Sequence, residues 1–416
     1  GGNCMQGKQL YASLEISEDE IRLLVGEYYM SRFNILRSDC MKVNQAINNK
    51  KIERPQVVNA IITKLLNNAE KALSLKIKKV ILCIPSADVK CVRKRVNVAI
   101  EEGSRKILMS HVRSGLEKAI NYDDTGTHEF VNIGSIKYIV GGISSRTIPL
   151  DEKTDLLTMD IDMLYADKDI VYSYVMCVES CGVSVLDICL DSFAMAEETA
   201  SLENSMDKYV ILADLQKNDT ILSLYYKGRL LECENTGQGY QTWINELHRR
   251  HRLSIVEAEA MLLENCFEEK AIYDDIVSYI WMDRDENKQL TKRQIYDTVS
   301  EGVKSWQNAI NEMCEPIKEY GNSKLIMSGK GADIVGINSV LKGLILPTQI
   351  YIPSSVGVRE GKYAVCLGAM YCTKKWQEIK NIKDVSIEYN NLIAREVKRE
   401  DETGFTKKLK NILQVK

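Results

Sequence analysis

Two stretches of the chain repeat one order of apolar runs and polar turns. In each stretch the first run closes on an acidic side chain, Glu15 in one and Asp214 in the other. The runs are rich in β-branched residues, Leu and Tyr, so each stretch predicts an antiparallel meander of three strands. The predicted strands cover residues 10–16, 21–28 and 33–37 in the first stretch and residues 209–213, 220–226 and 229–234 in the second.

A helical pattern and one further apolar run follow each meander. Apolar residues recur at helical spacing over residues 57–72 and lead into a run at 80–84. In the second half, helices predicted between residues 242 and 320 precede a run at 324–327 that ends in Ser-Gly-Lys-Gly. Two halves of the same order predict two α/β domains that face each other. The alternative is that two hairpins arose independently in an ordinary α/β protein, and the matching acidic residues favour the duplication.

The composition excludes several classes of protein. The 416 residues include 55 Lys and Arg against 58 Asp and Glu, a balance that argues against a generally basic nucleic-acid binder. No apolar run reaches the ~18–20 residues that a membrane-spanning helix needs. The 12 cysteines contain no Cys-x-x-Cys pair. We therefore expect reduced thiols in the core, with neither a zinc site nor a disulfide framework.

Several short motifs carry a resemblance to a known family. Residues 15–27 read EISEDEIRLLVGE and residues 214–220 read DLQKNDT, and further matches are residues 237–242, the Ala258-Glu259 pair and the loop at 328–331. These motifs resemble the actin-like superfamily, whose two duplicated domains close on ATP. They are most similar to FtsA, the bacterial division protein that tethers FtsZ filaments to the membrane. The resemblance implies that ATP and Mg²⁺, if bound, contact Glu15, Ser17, Asp214, Thr220, Gly237, Glu259, Gly329, Gly331 and Gly336.

FtsA differs from actin by an extra α/β subdomain inserted in the first half, and the stretch that begins at Ser86 fits this insertion. The resemblance therefore implies an α/β protein with a duplicated actin-like (ribonuclease H-like) two-domain fold and an FtsA-type inserted subdomain. The implied boundaries are residues 5–83 and 170–205 for the first actin-like domain, 84–169 for the inserted subdomain, 206–245 and 322–380 for the second actin-like domain, 246–321 for its mostly helical subdomain, 381–403 for a linker and 404–416 for a membrane helix.

The loops that hold phosphates in the family are altered here. The first loop replaces Gly-Thr-Ser-Lys by Ser-Glu-Asp-Glu at residues 17–20, and the second has Gln-Lys-Asn at 216–218 in place of three glycines. Leu262 occupies the position of the family's ribose-side lysine, whereas the adenosine loop keeps Gly329 and Gly331. Two like charges ~4 Å apart near a protein surface repel by roughly 4 kcal/mol, so clustered carboxylates oppose a triphosphate. We expect weak or absent ATP binding, no catalytic residues and at most a weak ATPase.

The end of the chain has the pattern of an interfacial helix. After a polar stretch at residues 382–403, four apolar residues recur on one helical face with lysines beside them. This pattern predicts a helix that lies on an anionic membrane, and the alternative is a terminal helix packed on the protein body. The apolar residues are Phe405, Leu409, Ile412 and Leu413, and the flanking lysines are Lys407, Lys408 and Lys410.

A basic stretch in the second half is a candidate for peptide binding. Arg249, Arg250 and Arg252 lie on a predicted helix. They fit either a solvated helix face or a docking site for an acidic peptide, since guanidinium groups pair well with carboxylates. In FtsA the FtsZ tail binds the corresponding subdomain, so the resemblance favours the docking site.

The predicted function is that of an FtsA-like adaptor, peripheral on the cytoplasmic face of the cell membrane at the division site. The partners implied are the FtsZ C-terminal peptide, other copies of the chain in a head-to-tail filament and an anionic membrane, with no nucleic acid. One alternative is an enzyme, either an ATP-hydrolysing actin-like polymer or a small-molecule kinase. Another is an adaptor like PilM, which binds a membrane protein's cytoplasmic peptide.

Overall fold

The computed structural model describes residues 8–101, 103–120, 126–267 and 275–388. The predicted membrane helix at 404–416 and most of the predicted linker lie outside the described residues. Within the described ranges, no helix combines the length and the apolar character that crossing a bilayer requires.

The described residues alternate strands and helices. The strands are β1 (Gln9–Ile16), β2 (Glu20–Tyr29), β3 (Arg32–Lys42), β4 (Ile47–Asn48), β5 (Lys51–Ile52), β6 (Lys79–Ile84), β7 (Lys90–Ala99), β8 (His128–Val140), β9 (Ile143–Ser145), β10 (Leu156–Asp167), β11 (Ser184–Leu190), β12 (Val210–Leu215), β13 (Thr220–Tyr226), β14 (Arg229–Asn235), β15 (Val277–Asp283), β16 (Glu286–Thr291), β17 (Lys324–Ser328) and β18 (Thr348–Ile350). The helices are α1 (Pro55–Leu73), α2 (Met109–Ile120), α3 (Lys168–Glu179), α4 (Asp191–Glu198), α5 (Ser201–Asn204), α6 (Gln241–His251), α7 (Ile255–Asn265), α8 (Lys292–Lys318), α9 (Asn338–Leu341) and α10 (Ala364–Trp376).

Two five-stranded sheets share one topology, which confirms the predicted duplication. The first has the order β3-β2-β1-β6-β11 and the second the order β14-β13-β12-β17-β18. In both, an antiparallel meander continues through two parallel pairings. Glu15 and Asp214 each stand one residue before the end of the first strand of their sheet, opposite Cys83 and Ser328 of the parallel neighbour. The acidic residues noticed in the sequence therefore occupy equivalent positions.

A third sheet, inserted between β6 and α3, interrupts the first half. Its order is β7-β10-β8-β9, and all its pairings are antiparallel. Helix α2 packs on this sheet, and β10 runs through its centre with most residues buried. This arrangement is the inserted α/β subdomain that the resemblance implied.

Two hydrophobic clusters hold these layers together. One is continuous through the first sheet and the inserted sheet, and the other joins the second sheet to helices α6 to α9. In the second cluster Trp243 meets Trp306 and Phe267 edge to face, with ring centroids 5.9 and 5.7 Å apart. Helix α10 returns from the second half to pack on β1 and α4. Helix α10 thereby connects the two halves, and Val365 in its first turn lines the same cavity as the loops that face each other.

Local signals set the ends of several helices. Pro55 starts α1, where a missing backbone N–H has no cost. Ser254 with Glu257 forms a capping box at the start of α7, and Thr291 with Gln294 forms another at the start of α8. The first of these caps fixes α7, whose Glu259 reaches the cleft described next.

Candidate functional site

Two hairpin loops face each other across the cleft between the halves. The first joins β1 to β2 and carries Ser17, Glu18 and Asp19, and the second joins β12 to β13 and carries Lys217 and Asn218. Each loop closes by backbone hydrogen bonds: the Ser17 amide donates to the carbonyl of Glu20, and the Gln216 amide to that of Asp219. The geometry is a tight polar turn rather than the glycine-rich cradle that surrounds a phosphate.

Ion pairs connect the two loops. Lys330, which follows β17, pairs with Asp19 and lies 2.5 Å from a carboxylate oxygen of Glu20. The Lys217 ammonium lies 3.3 Å from Asp19 Oδ1 and 3.2 Å from Glu259 Oε1. All five side chains are at least 85% buried, since their exposed fractions are 6 to 15%. Carboxylates of the first half are thus neutralised by lysines of the second.

Two further cations complete this network. Lys42, at the end of β3, places its ammonium 2.7 Å from Glu259 Oε2. Arg22, on β2, donates to Glu15 at 2.8 Å and to Glu20 at 3.3 Å. We call the set Glu15, Asp19, Glu20, Arg22, Lys42, Lys217, Glu259 and Lys330 the cleft network.

The carboxylates of the cleft titrate differently according to their partners. Burial opposes ionisation of Asp19 and Glu20, yet both pKa values lie below their ordinary range. Lys330 and Lys217 lower the pKa of Asp19, and Arg22 and Lys330 lower the pKa of Glu20. Among the described residues, no lysine or arginine forms an ion pair with Asp214, although the charge of Arg22 acts on it. Burial, together with the nearby charge of Asp191, raises the pKa of Asp214 to about 8, despite a hydrogen bond from Gln216. At neutral pH Asp214 is mostly a neutral acid.

Glycines bring the loop after β17, residues 328–331, against the second sheet. Gly329 has φ 82°, and a Cβ there would lie 2.1 Å from Asp214 Oδ1. At Gly331 a Cβ would lie 2.5 Å from the Leu215 side chain. The loop keeps its glycines as predicted, but they serve close packing on β12 and they deliver Lys330 to the first loop.

The cavity that remains at this point is small. Its lining includes Glu15, Ser17, Asp214 and Gly329, and its volume is about 20 Å³. That volume accommodates about one water molecule, whereas pockets for small ligands typically measure about 300–1,000 Å³. Side chains of the cleft network fill the space between the loops.

The structure separates the other residues that the family resemblance implicated. Glu259 joins the cleft network. Thr220 is buried, donates to the carbonyl of Gln238 at 2.7 Å and accepts from Trp306 Nε1 at 2.9 Å. Gly237 and Gly336, like Gly331, are not part of the cavity lining. Leu262, at the family's lysine position, is fully buried in the second cluster.

Sequence reasoning missed the cations of this site. Lys217 and Lys330 were visible only as departures from glycine, and Lys42 and Arg22 were not singled out. The signal was present, because a lysine stands in each of two loops opposite a loop with three consecutive acidic residues.

The basic stretch lies at the end of α6. Arg249 and Arg250 both bind Glu246, at 2.8 and 3.1 Å, and hydrogen bonding to Arg249 holds the pKa of Glu246 below its ordinary value. Arg252 is the left-handed C-cap residue with φ 55°. Positive charge at a helix C-terminus is stabilising by itself, so these contacts have a structural reason. Across the described ranges, no group of His, Cys, Asp and Glu is arranged to hold a metal ion.

Two sheets of one topology around a cleft define an actin-like protein, and solved structures agree. A PilM–PilN type IV pilus biogenesis complex matches with a TM-score of 0.56 and 13% identity over 87% of this chain and 98% of the other. The ethanolamine utilization protein EutJ from Carboxydothermus hydrogenoformans matches with a TM-score of 0.50 and 10% identity over 87% of this chain and 89% of the other. No protein-family model matches the chain.

Within the actin-like class, the curated relatives are cell division proteins. FtsA of Staphylococcus epidermidis (strain ATCC 35984) is 22% identical over 405 residues, which cover 95% of this chain and 86% of the relative. FtsA of Bacillus subtilis (strain 168) is 20% identical over 371 residues, 88% of this chain and 83% of the relative. The chain is therefore an actin-like protein similar to cell division protein FtsA along nearly its whole length.

We predict that Lys330→Met lowers the free energy of unfolding by about 2–4 kcal/mol, because it leaves Asp19 and Glu20 partly unpaired in a buried setting. Methionine keeps the apolar stem and removes only the charge. The control is Lys318→Met, whose partner Glu315 lies 3.7 Å away with both side chains more than half exposed; it should change stability by less than about 1 kcal/mol. Urea unfolding of both variants measures the difference, and equal effects would contradict the assigned role of Lys330.

We predict that Asp214 makes the protein less stable as pH rises from about 5 to 8. The pKa of Asp214 is raised from 3.8 to about 8 in the folded state. Its contribution is therefore full below the unfolded value and is lost as pH rises through about 8. Asp214→Asn stays neutral at every pH and should flatten the dependence of thermal midpoint on pH. An unchanged slope in the variant would argue against a protonated Asp214.

Proposed function

We propose that the protein is a membrane tether and adaptor for FtsZ filaments in bacterial cell division. In this proposal it assembles head to tail, binds ATP weakly or not at all, and lies on the cytoplasmic face of the membrane at the division site. The similarity to FtsA supports the division role, and the actin-like fold supports assembly into open filaments, because such contacts join two different faces of the subunit.

The observation that carries the loss of nucleotide is the cleft network. In an actin-like protein the halves close on a triphosphate and its magnesium. Here Lys330 and Lys217 already bridge the halves through Asp19, and Lys42 bridges them through Glu259. Phosphates in this space would have to replace those carboxylates on the lysines, and they would then face the carboxylates they displaced. The residues present do not fit a magnesium-ATP complex, so no step of the proposed function passes through one.

The same contacts support an adaptor more than an enzyme. An adaptor needs one stable arrangement of its halves, and ion pairs between the halves provide it without a ligand. A kinase or an ATPase needs a carboxylate free to position water or metal beside the phosphates, whereas Asp214 is buried, mostly protonated and packed against Gly329.

The membrane part of the proposal depends on residues 404–416. Four partly buried apolar side chains contribute roughly 4–8 kcal/mol before ordering costs. Each lysine near an anionic leaflet adds about 1 kcal/mol. Ordering some ten residues costs about 1 kcal/mol each, so a single tail binds weakly. Firm attachment then follows when a filament presents many tails at once, which raises their effective concentration.

The similarity in fold to the PilM–PilN complex supports a second candidate function, that of an adaptor with a different peptide partner. The basic amphipathic pattern of residues 404–416 favours the FtsA-like role. In that role the Arg249, Arg250 and Arg252 stretch is the proposed contact for the acidic FtsZ tail, and residues 84–169 form the inserted subdomain within the boundaries predicted above.

We predict that isothermal titration calorimetry with ATP and Mg²⁺ gives no heat of binding at micromolar nucleotide. The physical reason is that the cleft network fills the site. FtsA of Bacillus subtilis, measured in the same buffer, controls for the method. A micromolar dissociation constant for this chain would refute the proposed loss of nucleotide and would favour the alternative of an ATP-hydrolysing polymer.

We predict that the full chain pellets FtsZ with phosphatidylglycerol vesicles and that a chain ending at Glu402 does not. Leu409→Glu should also abolish pelleting, since it places a charge on the apolar face. Gln414→Glu is the matched control, because it adds the same charge on the opposite side of the predicted helix and should retain most binding. Equal pelleting of the full and shortened chains is the result that excludes the tether.

A further inference from the structure

A groove separate from the cleft lies between the inserted sheet and the second half. Strands β7, β8 and β9 and the residue after β9 form one wall, and the β13–β14 hairpin forms the other. Its volume is about 570 Å³, far larger than the cavity between the loops. We call it the β9–β14 groove.

Cations dominate the polar lining of this groove. They are Arg93, Lys137, Arg146, Lys227 and Arg229, and no carboxylate belongs to the lining among the described residues. The charge is therefore concentrated in one concave place on a chain whose formal net charge is -3.

Two buried carboxylates beneath the groove bind three of these cations. Arg93 binds Asp162 through both Nε and Nη2 at 2.9 Å, and Arg229 reaches the same carboxylate at 3.1 Å. Lys137 lies 3.5 Å from Asp160. Asp160 and Asp162 belong to β10, where cross-strand pairing sets Asp162 opposite Arg93 and Asp160 opposite Lys137. The two carboxylates hold the guanidinium groups in place, but they cannot neutralise all of them.

The remaining two cations of the lining, Arg146 and Lys227, are held differently. Arg146 donates only to backbone carbonyls, those of Lys227 at 2.5 Å and Gly228 at 3.3 Å. Lys227 lies 5.3 Å from the centre of the Tyr226 ring. In the part of the chain that the structure describes, neither forms an ion pair with a carboxylate. The groove thus carries an uncompensated positive charge at the point where the inserted subdomain meets the second half.

Apolar side chains also line the groove. Met206 and Leu231 line it with 47% and 44% of their surface exposed. The ring of Tyr226 is fixed by stacking on Tyr209, with centroids 4.3 Å apart. A free phosphate would use the cations and leave these side chains in water, and a flat bilayer would not enter a concave groove. An occupant that uses both features carries carboxylates and apolar side chains together.

We propose that the β9–β14 groove binds an acidic peptide segment of a partner protein, in which carboxylates alternate with apolar side chains. The carboxylates pair with Arg146 and Lys227, and the apolar side chains cover Met206, Leu231 and Tyr226. This site differs from the Arg249, Arg250 and Arg252 stretch proposed for the FtsZ tail, so it provides a second point of attachment on the inserted subdomain's side of the molecule.

Fluorescence anisotropy of the full chain with a labelled peptide that alternates Glu and Leu tests this site. Lys227→Glu should weaken binding by about tenfold or more, because it reverses a charge that holds no internal carboxylate. Leu231→Ser should weaken binding by a smaller factor. Peptides with Gln in place of Glu, or Ser in place of Leu, should bind more weakly than the parent. Thermal unfolding of each variant confirms that the fold is retained.

Lys64→Glu is the matched control, since it makes the same charge reversal on an exposed residue of α1 outside both basic sites. Arg249→Glu tests separately whether the probe peptide binds at the other basic site. Loss of binding with Arg249→Glu but not with Lys227→Glu would overturn the proposal without touching the FtsZ role. Equal binding of the Glu and Gln peptides would exclude a carboxylate site. Binding of tripolyphosphate or phosphatidylglycerol vesicles, lost in Lys227→Glu, with no peptide binding would show that the groove recognises another anion.

Discussion

Lys330 and Lys217 cross the cleft to carboxylates of the opposite half, and the arrangement of the two sheets depends on these contacts. Taking charges out of water is costly, and a buried pair is stable only when every member is well matched. The cleft network meets this condition by sharing: Asp19 has two lysines, Glu20 has Lys330 and Arg22, and Glu259 has Lys217 and Lys42. In this space the chain itself supplies both signs of charge.

The duplicated fold was predictable because its signals are local. Each meander follows from apolar runs and turn residues that are close in sequence, and the repeat of the pattern in the two halves revealed the common topology. The prediction for the third strand was too short, ending at residue 37, whereas β3 continues to Lys42. Its last residues, Ser-Asp-Cys-Met-Lys, mix polar and apolar side chains and gain strand structure from pairing with β2. That unpredicted extension is what places Lys42 beside Glu259.

The site was less predictable than the fold. Sequence reasoning singled out Glu15, Asp214 and Gly329, which the structure brings to one cavity, and it noted the three consecutive carboxylates at residues 18–20. It could not foresee that residues 198 and 311 positions away would neutralise Asp19. Such pairings are set by how the two halves meet, and no periodicity along the chain records them. The β9–β14 groove was not predicted for the same reason, since its cations come from two sheets that the sequence does not place side by side.

Gly329 shows that the packing of a loop can by itself require glycine. Its positive φ and the contact with Asp214 exclude any side chain there. If such a glycine cannot be substituted, the reason is therefore the packing of one strand end on another. In proteins of this class, a surviving glycine turn is consequently a poor guide to whether a nucleotide is still bound, and the charges around the turn are the better one.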